Sequence, residues 1–399
     1  MYYQENPVSP AVIKVMGIGG GGCNAINSMI DSGVTSAKFI AVNTDSQALL
    51  LSKSDNRIQI GAALTKGLGA GSDPNIGEGA AEESKDAIAR ELEGTDLLFI
   101  AAGMGGGTGT GAASVVARIA RELGVLTVAV VTKPFSFEGR VRNENANKGI
   151  ANLKKYVDTL VIIPNDKLLQ FLPPQTCMLD AFKVADDMLK QGIVGIVDLI
   201  ATPSLINLDF ADINTVMRNQ GLAHMGIGRA KGENRVIESV RQAVSSPLLE
   251  TTIEGARSII LNVTGGRDLM LTEVNEAALL IQGIIDPSAN IIFGQTIDDS
   301  LSDEVKITVI ATGFTSKEDE VRVEVKPTFK FNENVVDSTV PPLLREIEAV
   351  ENATQQQPVE VAEQPVVQEQ VAPQKIEVEP QPETKGKELP AFMRKLFRK

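Results

Sequence analysis

Gly103-Met104-Gly105-Gly106-Gly107-Thr108-Gly109-Thr110-Gly111 is the stretch on which the reading of this chain turns. The apolar run before it, residues 97–102, reads as a buried parallel strand, and residues 112–123 after it carry a helical pattern. Strand, glycine loop and helix, in that order, bring backbone N–H groups and a helix N-terminus together on an anion. Glycine lets the main chain approach a phosphate closely, and Thr108 and Thr110 add hydroxyl donors. Six glycines in nine positions cost about 0.5–1 kcal/mol each in backbone entropy, so some use must offset them. A phosphate loop is that use; a purely structural tight turn is the alternative.

Working outward, two further glycine-rich stretches precede this loop. Residues 11–16 read as a strand leading into Gly17-Ile18-Gly19-Gly20-Gly21-Gly22, with a helix expected from Cys23. Gly17, Gly19 and Gly22 satisfy G-x-G-x-x-G, and Asp45, after a strand at 38–42, sits where a ribose-binding acid would. Alone, that pattern points to NAD. Residues 61–73 form another glycine-rich loop, followed by a helix expected over 78–93. Three such loops exceed what one pyrophosphate needs and suit a triphosphate better. No G-x-x-x-x-G-K-[ST] occurs, so the nucleotide is held mainly by backbone amides and helix dipoles.

Past the main loop, a strand at 126–131 leads into a segment carrying Glu138 and Arg142, candidates for sugar contacts or simply solvated charges. A strand at 160–163 ends at Pro164-Asn165-Asp166. A helix over 179–200 follows, its apolar positions recurring at three and four, with Gly192 and Gly195 placed to let another element pack close. Phe182 could stack on a base, or belong to the core. Asp186, four residues on and on the same face, could accept the N1–H and N2–H₂ pair that guanine offers and adenine lacks. Asp209 and Asp212 fit a helix N-cap and its third position, yet the same spacing projects two carboxylates that could orient water or polarise a cation. Strands at 223–229, 258–264, 290–293 and 304–310 with helices at 233–244 and 272–284 suggest an α+β second domain, and residues 321–325 a last strand. His224, the sole histidine, reads as structural.

Composition narrows the function classes. The 399 residues allow two domains, and Cys23 and Cys177 form neither a disulfide framework nor a metal motif. The polar, proline-bearing start is unlike a secretory leader, and no apolar run approaches the roughly 20 residues of a membrane span. A net charge of -13 argues against nucleic-acid binding by phosphate neutralisation. A soluble, cytoplasmic protein is expected. Residues 331–385 hold eleven acidic and three basic side chains among Gln, Pro and Val, the composition of a disordered linker. Residues 386–399 then turn basic around Leu389, Phe392, Met393, Leu396 and Phe397, a pattern suited to ordering on a partner's groove or touching an anionic membrane surface.

GGGTGTG at 105–111, with GIGGGGCNAI at 17–26, NLDFAD at 207–212 and LPAFMRKLF at 389–397, resembles the tubulin/FtsZ GTPase family, specifically its bacterial cell-division branch. The resemblance spans about residues 11–314 and the terminal peptide. It implies an α/β fold: a Rossmann-like parallel-sheet GTPase domain (11–178), a long central helix (179–202) and a smaller α+β domain (203–325). A disordered N-terminus (1–10), an acidic linker (326–385) and a partner-binding peptide (386–399) complete the chain. It implies a GTPase with GTP/GDP as substrate and product, Mg²⁺ as counter-ion, head-to-tail polymerisation, and a ring at the division site on the inner face of the cytoplasmic membrane. Carried over, Gly20, Gly21, Gly105, Gly106, Gly107 and Thr108 would cradle phosphates, with Ala70 and Gly71 at the γ-phosphate. Glu138 and Arg142 would hold the ribose, and Asn24, Phe182 and Asp186 the guanine, with Gly109 and Asn165 also among the nucleotide-binding residues. Asp209 and Asp212 would act on the next subunit's nucleotide. The terminal peptide would meet membrane tethers and regulators. No nucleic acid and no resident metal site are expected, and the resemblance overrides the NAD reading. A filament that binds GTP without turnover is the alternative from another class, and the presence of both Asp209 and Asp212 argues against it.

Overall fold

The run leading into the main glycine loop is a strand with six of its seven residues buried, as in a parallel sheet covered on both faces by helices. The computed structural model describes residues 11–170, 172–173, 175–201, 209–245, 253, 255–286 and 288–314. Its strands are β1 (Ile13–Ile18), β2 (Lys38–Asn43), β3 (Asn56–Gln59), β4 (Leu97–Gly103), β5 (Leu126–Lys133), β6 (Thr159–Pro164), β7 (Gly221–Lys231), β8 (Ser258–Gly265), β9 (Asn290–Ile297) and β10 (Glu304–Thr312). The helices between them are α1 (Gly19–Asp31), α2 (Ser46–Leu50), α3 (Ala62–Thr65), α4 (Pro74–Glu83), α5 (Lys85–Leu92), α6 (Thr108–Glu122) and α7 (Arg140–Leu153), then α8 (Asn165–Leu168), α9 (Met178–Ala201), α10 (Phe210–Met217), α11 (Arg235–Val244) and α12 (Leu271–Gln282).

The strands form one sheet in the order β3-β2-β1-β4-β5-β6-β7-β10-β8-β9. The first six pair in parallel. From β1 the chain moves outward through β2 and β3, then returns to β4 on the other side. The order therefore reverses between β1 and β4, the crevice in which open α/β sheets take ligands. Both long glycine runs follow these two strands.

One face of this sheet buries α1, α9 and α10 and the other α4 to α7. α9 is 24 residues long, about 36 Å at 1.5 Å per residue. Val184, Met188, Ile193, Ile196 and Val197 lie in the same core as Ile260 of β8 and Ile310 of β10, so α9 ties both lobes together. Its glycines mark close approaches: a Cβ at Gly192 would lie 3.2 Å from Val130, and one at Gly195 2.7 Å from the Met225 methyl. In the second lobe, β10 runs antiparallel to β7 and β8, β9 pairs in parallel with β8, and α11 and α12 cover a core of their own. Arg235, buried in α11, forks onto Glu273 at 2.7 Å and Asp268 at 2.5 Å, which hold its charge firmly in place. His224 is buried, with Phe314 edge-on at 4.6 Å.

Several expectations need correction. β1 spans Ile13–Ile18 rather than 11–16, and α1 starts at Gly19 rather than Cys23, so the glycine run is itself the first helical turn. The single helix over 78–93 is two, broken at Ser84, whose hydroxyl accepts the Gly61 N–H at 3.1 Å. The second lobe is not separate from the first sheet: β6 and β7 pair in parallel through Thr159–Gly221, Leu160–Leu222 and Val161–Ala223. The strand at 321–325, the N-terminal segment, the linker and the terminal peptide lie outside the described residues.

Candidate active site

α1 and α6 both begin without a side-chain cap, leaving their first N–H groups open. They meet at the switch crevice. Gly19 has φ +72°, and a Cβ there would lie 2.8 Å from the Gly109 nitrogen, so the two loops touch through main chain alone. Gly105 has φ +103°, and a Cβ on it would come 2.7 Å from the Arg142 carbonyl oxygen. Thr44 and Thr108 share a hydrogen bond of 2.7 Å between hydroxyls, and the Gly105 N–H donates to Thr110 Oγ1 at 2.8 Å. Gly107 is backed by Ala70 and Asp73, which places the third glycine loop against the main one. Gly20, Gly71 and Gly106 have nothing near a would-be Cβ, and Gly21 sits beside Gly103. Gly20, Gly21, Ala70, Gly71, Gly105, Gly106, Gly107, Thr108 and Gly109 are thus gathered at one edge, and the uncapped amides at the starts of α1 and α6 suit an anion.

Glu138 and Arg142 are paired with each other at 3.0 Å, one turn apart, and the other Glu138 oxygen accepts the Phe135 N–H at 2.9 Å. Arg142 packs on Gly105, so this pair borders the phosphate cradle. Asp45, the residue placed where a ribose acid would sit, is the N-cap of α2, accepting from Gln47 and Ala48.

Phe182 stands edge-on to Phe135, with ring centroids 5.4 Å apart, and to Phe137 at 6.5 Å. Phe135 and Phe137 stack at 5.1 Å. Sequence reasoning missed both, although Pro134-Phe135-Ser136-Phe137 directly after a strand offered the signal. Asp186, one turn along α9, has its carboxyl pushed up to about 7 by burial and then by the charge of Asp187. Asn165, at the end of β6, is buried with no hydrogen-bond partner for its Oδ1 among the described residues. A buried amide oxygen left open is costly unless a ligand's donor reaches it. Asn24 is exposed on the first helix.

Asp209 and Asp212 are not brought to this edge. Asp209 caps α10, accepting the Asp212 N–H at 2.8 Å, so the capping reading holds. α10 ends against the first residue of β6, where Thr159 Oγ1 donates to the Met217 carbonyl at 2.5 Å. The C-terminal end of α10 therefore lies by the amino edge of the sheet, a strand's length of about 20 Å from the glycine loops. Asp209 is exposed, and the Asp212 carboxylate makes no hydrogen bond or ion pair among the described residues.

Residues 12–173 match the GTPase domain of the Tubulin/FtsZ family, and residues 221–315 match the C-terminal domain of the FtsZ family. A solved FtsZ dimer from M. jannaschii is 47% identical, covering 76% of this chain and 89% of its own, with a TM-score of 0.73. This chain belongs to the FtsZ family. Two structures from Haloferax volcanii share the fold at lower identity. CetZ1, a GDP-bound monomer, is 22% identical with a TM-score of 0.66, covering 76% of this chain and 95% of its own. CetZ2, a GTPγS-bound protofilament, is 18% identical with the same TM-score, covering 86% and 99%.

As an FtsZ-family member the chain is a GTPase, and its nucleotide is GTP or GDP, which removes the NAD reading of Gly17, Gly19 and Gly22. In an FtsZ-type sheet these residues serve packing: a Cβ at Gly22 would lie 2.2 Å from the Ala101 carbonyl oxygen. No helix among the described residues is long and apolar enough to cross a membrane.

Proposed function

We propose that this chain polymerises head to tail and hydrolyses GTP at the joint between subunits, with Asp209 and Asp212 of one subunit acting on the nucleotide held by the next. The separation of the two acids from the phosphate cradle, at opposite edges of one sheet, carries this reading. Carried on a helix whose far end sits a strand's length, about 20 Å, from the loops, the acids are set to serve the γ-phosphate of a neighbour stacked edge to edge and not their own subunit's. Around the cradle edge Leu68, Met178 and Leu179 are exposed at 84%, 63% and 65%, apolar surface that a second copy would cover. The M. jannaschii relative is a dimer, and the CetZ2 structure a protofilament.

In this reading the backbone of Gly20, Gly21 and residues 105–109, with Thr108, stabilises charge on the phosphates, while Ala70 and Gly71 lie at the γ-phosphate. Glu138 and Arg142 border the ribose; Asn24, Asn165, Phe182 and Asp186 bind guanine. The acids orient the attacking water, since a free carboxylate is a weak general base at neutral pH. Among the described residues no three acidic, His or Cys side chains cluster as a metal cage. Mg²⁺ fits the site as a counter-ion carried by the phosphates and water, neutralising their charge, with the cradle hydroxyls of Thr44 and Thr108 at hand.

The same proposal places the polymer at the division site as a bacterial-type ring. Residues 386–399, through their apolar side chains and basic charge, hold it to membrane tethers and regulators, and 326–385 act as the spacer. Asp212→Ala tests the catalytic part: it should bind GTP as the wild type does, lose most turnover, and form longer-lived filaments. A fall in GTP affinity as steep as the fall in turnover would make Asp212 a binding group and sink the interface assignment.

A further inference from the structure

Thr44, the residue after β2, is wholly buried, and the proton of its hydroxyl has few places to go. Its Oγ1 lies 2.7 Å from Thr108 Oγ1, on the first residue of α6. Neither hydroxyl has another hydrogen-bond partner among the described residues. The main chain pins Thr44 in this place. The Asn43 carbonyl before it accepts the Ile60 N–H at 3.0 Å, and the Ser46 N–H after it donates to the Gly67 carbonyl at 3.1 Å. Its own carbonyl and that of Gly61 share the buried Thr65 hydroxyl, at 3.3 and 2.9 Å, while the Gly67 N–H donates to Thr65 Oγ1 at 3.3 Å. Thr44 is β-branched and stiff at χ1, so its hydroxyl stays aimed at Thr108.

One hydrogen bond between two hydroxyls uses one proton and leaves the other to spare. Were Thr108 the donor, the spare proton would sit on Thr44, buried and without an acceptor, which is costly. With Thr44 as donor, the spare proton sits on Thr108, half-buried at the positive end of α6, where an anion can take it. We propose that Thr44 is a positioning residue for the nucleotide: it donates to Thr108 and so fixes Thr108 as a donor to a phosphate oxygen. Hydroxyls in series polarise one another, and Thr44 to Thr108 to phosphate is such a series. The inference rests on the assignment of Thr108 to the phosphate cradle. Thr44 acts through Thr108, and its burial is what gives the series its direction.

A double-mutant cycle separates this role from a merely structural one. Affinity for GTPγS is measured by calorimetry on the full chain, at concentrations where light scattering detects no polymer. The proteins are the wild type, Thr44→Val, Thr108→Val and the double variant, each checked for folding by thermal melting. Thr108→Val should bind about tenfold more weakly, the loss of one charge-assisted contact. Thr44→Val, which keeps the side-chain shape, should weaken binding about threefold or more, and should add nothing in the Thr108→Val background. Thr44→Ser, which restores the hydroxyl, should bind as the wild type does. If Thr44→Val does not fold, Thr44→Ala carries the same comparison. Equal losses from Thr44→Val in the two backgrounds, or full affinity in a folded Thr44→Val beside a weakened Thr108→Val, would overturn the proposal and leave the cradle standing. Full affinity in Thr108→Val would remove Thr108 from the cradle and the proposal with it.

Discussion

Burial, and then the charge of Asp187, raise the Asp186 carboxyl from 3.8 to about 7. The native chain therefore keeps a proton that the unfolded chain releases. This group's contribution to stability is complete below about 3.8 and is lost as pH climbs through about 7. Guanine, in the proposed role of Asp186, would reverse the preference, because its two N–H donors need an ionised acceptor. GTP affinity should rise as pH climbs through about 7 and weaken by about tenfold for each unit below it. Asp186→Ala should lose about 1.5–3 kcal/mol of binding, flatten that pH dependence and relax the preference for guanine over adenine. Nucleotide titrations of both proteins across this range check it, and an unchanged slope in Asp186→Ala would assign the proton elsewhere. That Phe182 and Asp186 share one face of a single helix was legible from their spacing of four. The raised carboxyl, the Phe135 and Phe137 rings and the open Asn165 oxygen were not, since each arises where segments distant in sequence pack together.

At the scale of elements, glycines decide how closely helices approach the sheet and one another. A Cβ at Gly111 would fall 2.0 Å from the Pro74 carbonyl oxygen, a backbone atom that cannot step aside. Gly111→Ala should push α4 off α6, displace the Gly71–Asp73 loop, cost about 1–3 kcal/mol of stability and weaken GTP binding. Gly195→Ala meets only the flexible end of Met225 at 2.7 Å and should cost less. Chemical denaturation of both variants tests the order, and a larger loss for Gly195→Ala would contradict it. Helix α9 was readable to within one residue at each end from its apolar period, because nearly every turn touches a core. The break at Ser84 was hidden, since it depends on a hydrogen bond to Gly61. So was the joining of the two lobes into one sheet, which rests on a short β6–β7 pairing that no local pattern announces.

At the scale of the whole molecule, the proposal sets nucleotide and acids at opposite edges and makes the chemistry a property of the assembly. It leaves the terminal peptide out of that chemistry. Deleting residues 386–399 should leave GTP turnover and polymerisation of the purified protein nearly intact, yet abolish co-sedimentation of filaments with a membrane-bound adaptor; equal binding by full-length and truncated filaments would remove the anchoring role. The central claim, that one subunit's acids serve its neighbour's nucleotide, is tested most directly by mixing two inactive variants. Asp212→Ala keeps its cradle and lacks the acid. Gly105→Ala keeps the acid and spoils the cradle, because its Cβ would strike the Arg142 carbonyl oxygen at 2.7 Å. GTP turnover is measured for each alone and for an equal mixture, with co-sedimentation showing that the two enter one polymer. Action across the joint predicts that the mixture recovers up to about a quarter of wild-type turnover, the share of joints pairing an intact cradle with an intact acid in a random head-to-tail polymer. A mixed polymer with no more turnover than its parts would contradict the account.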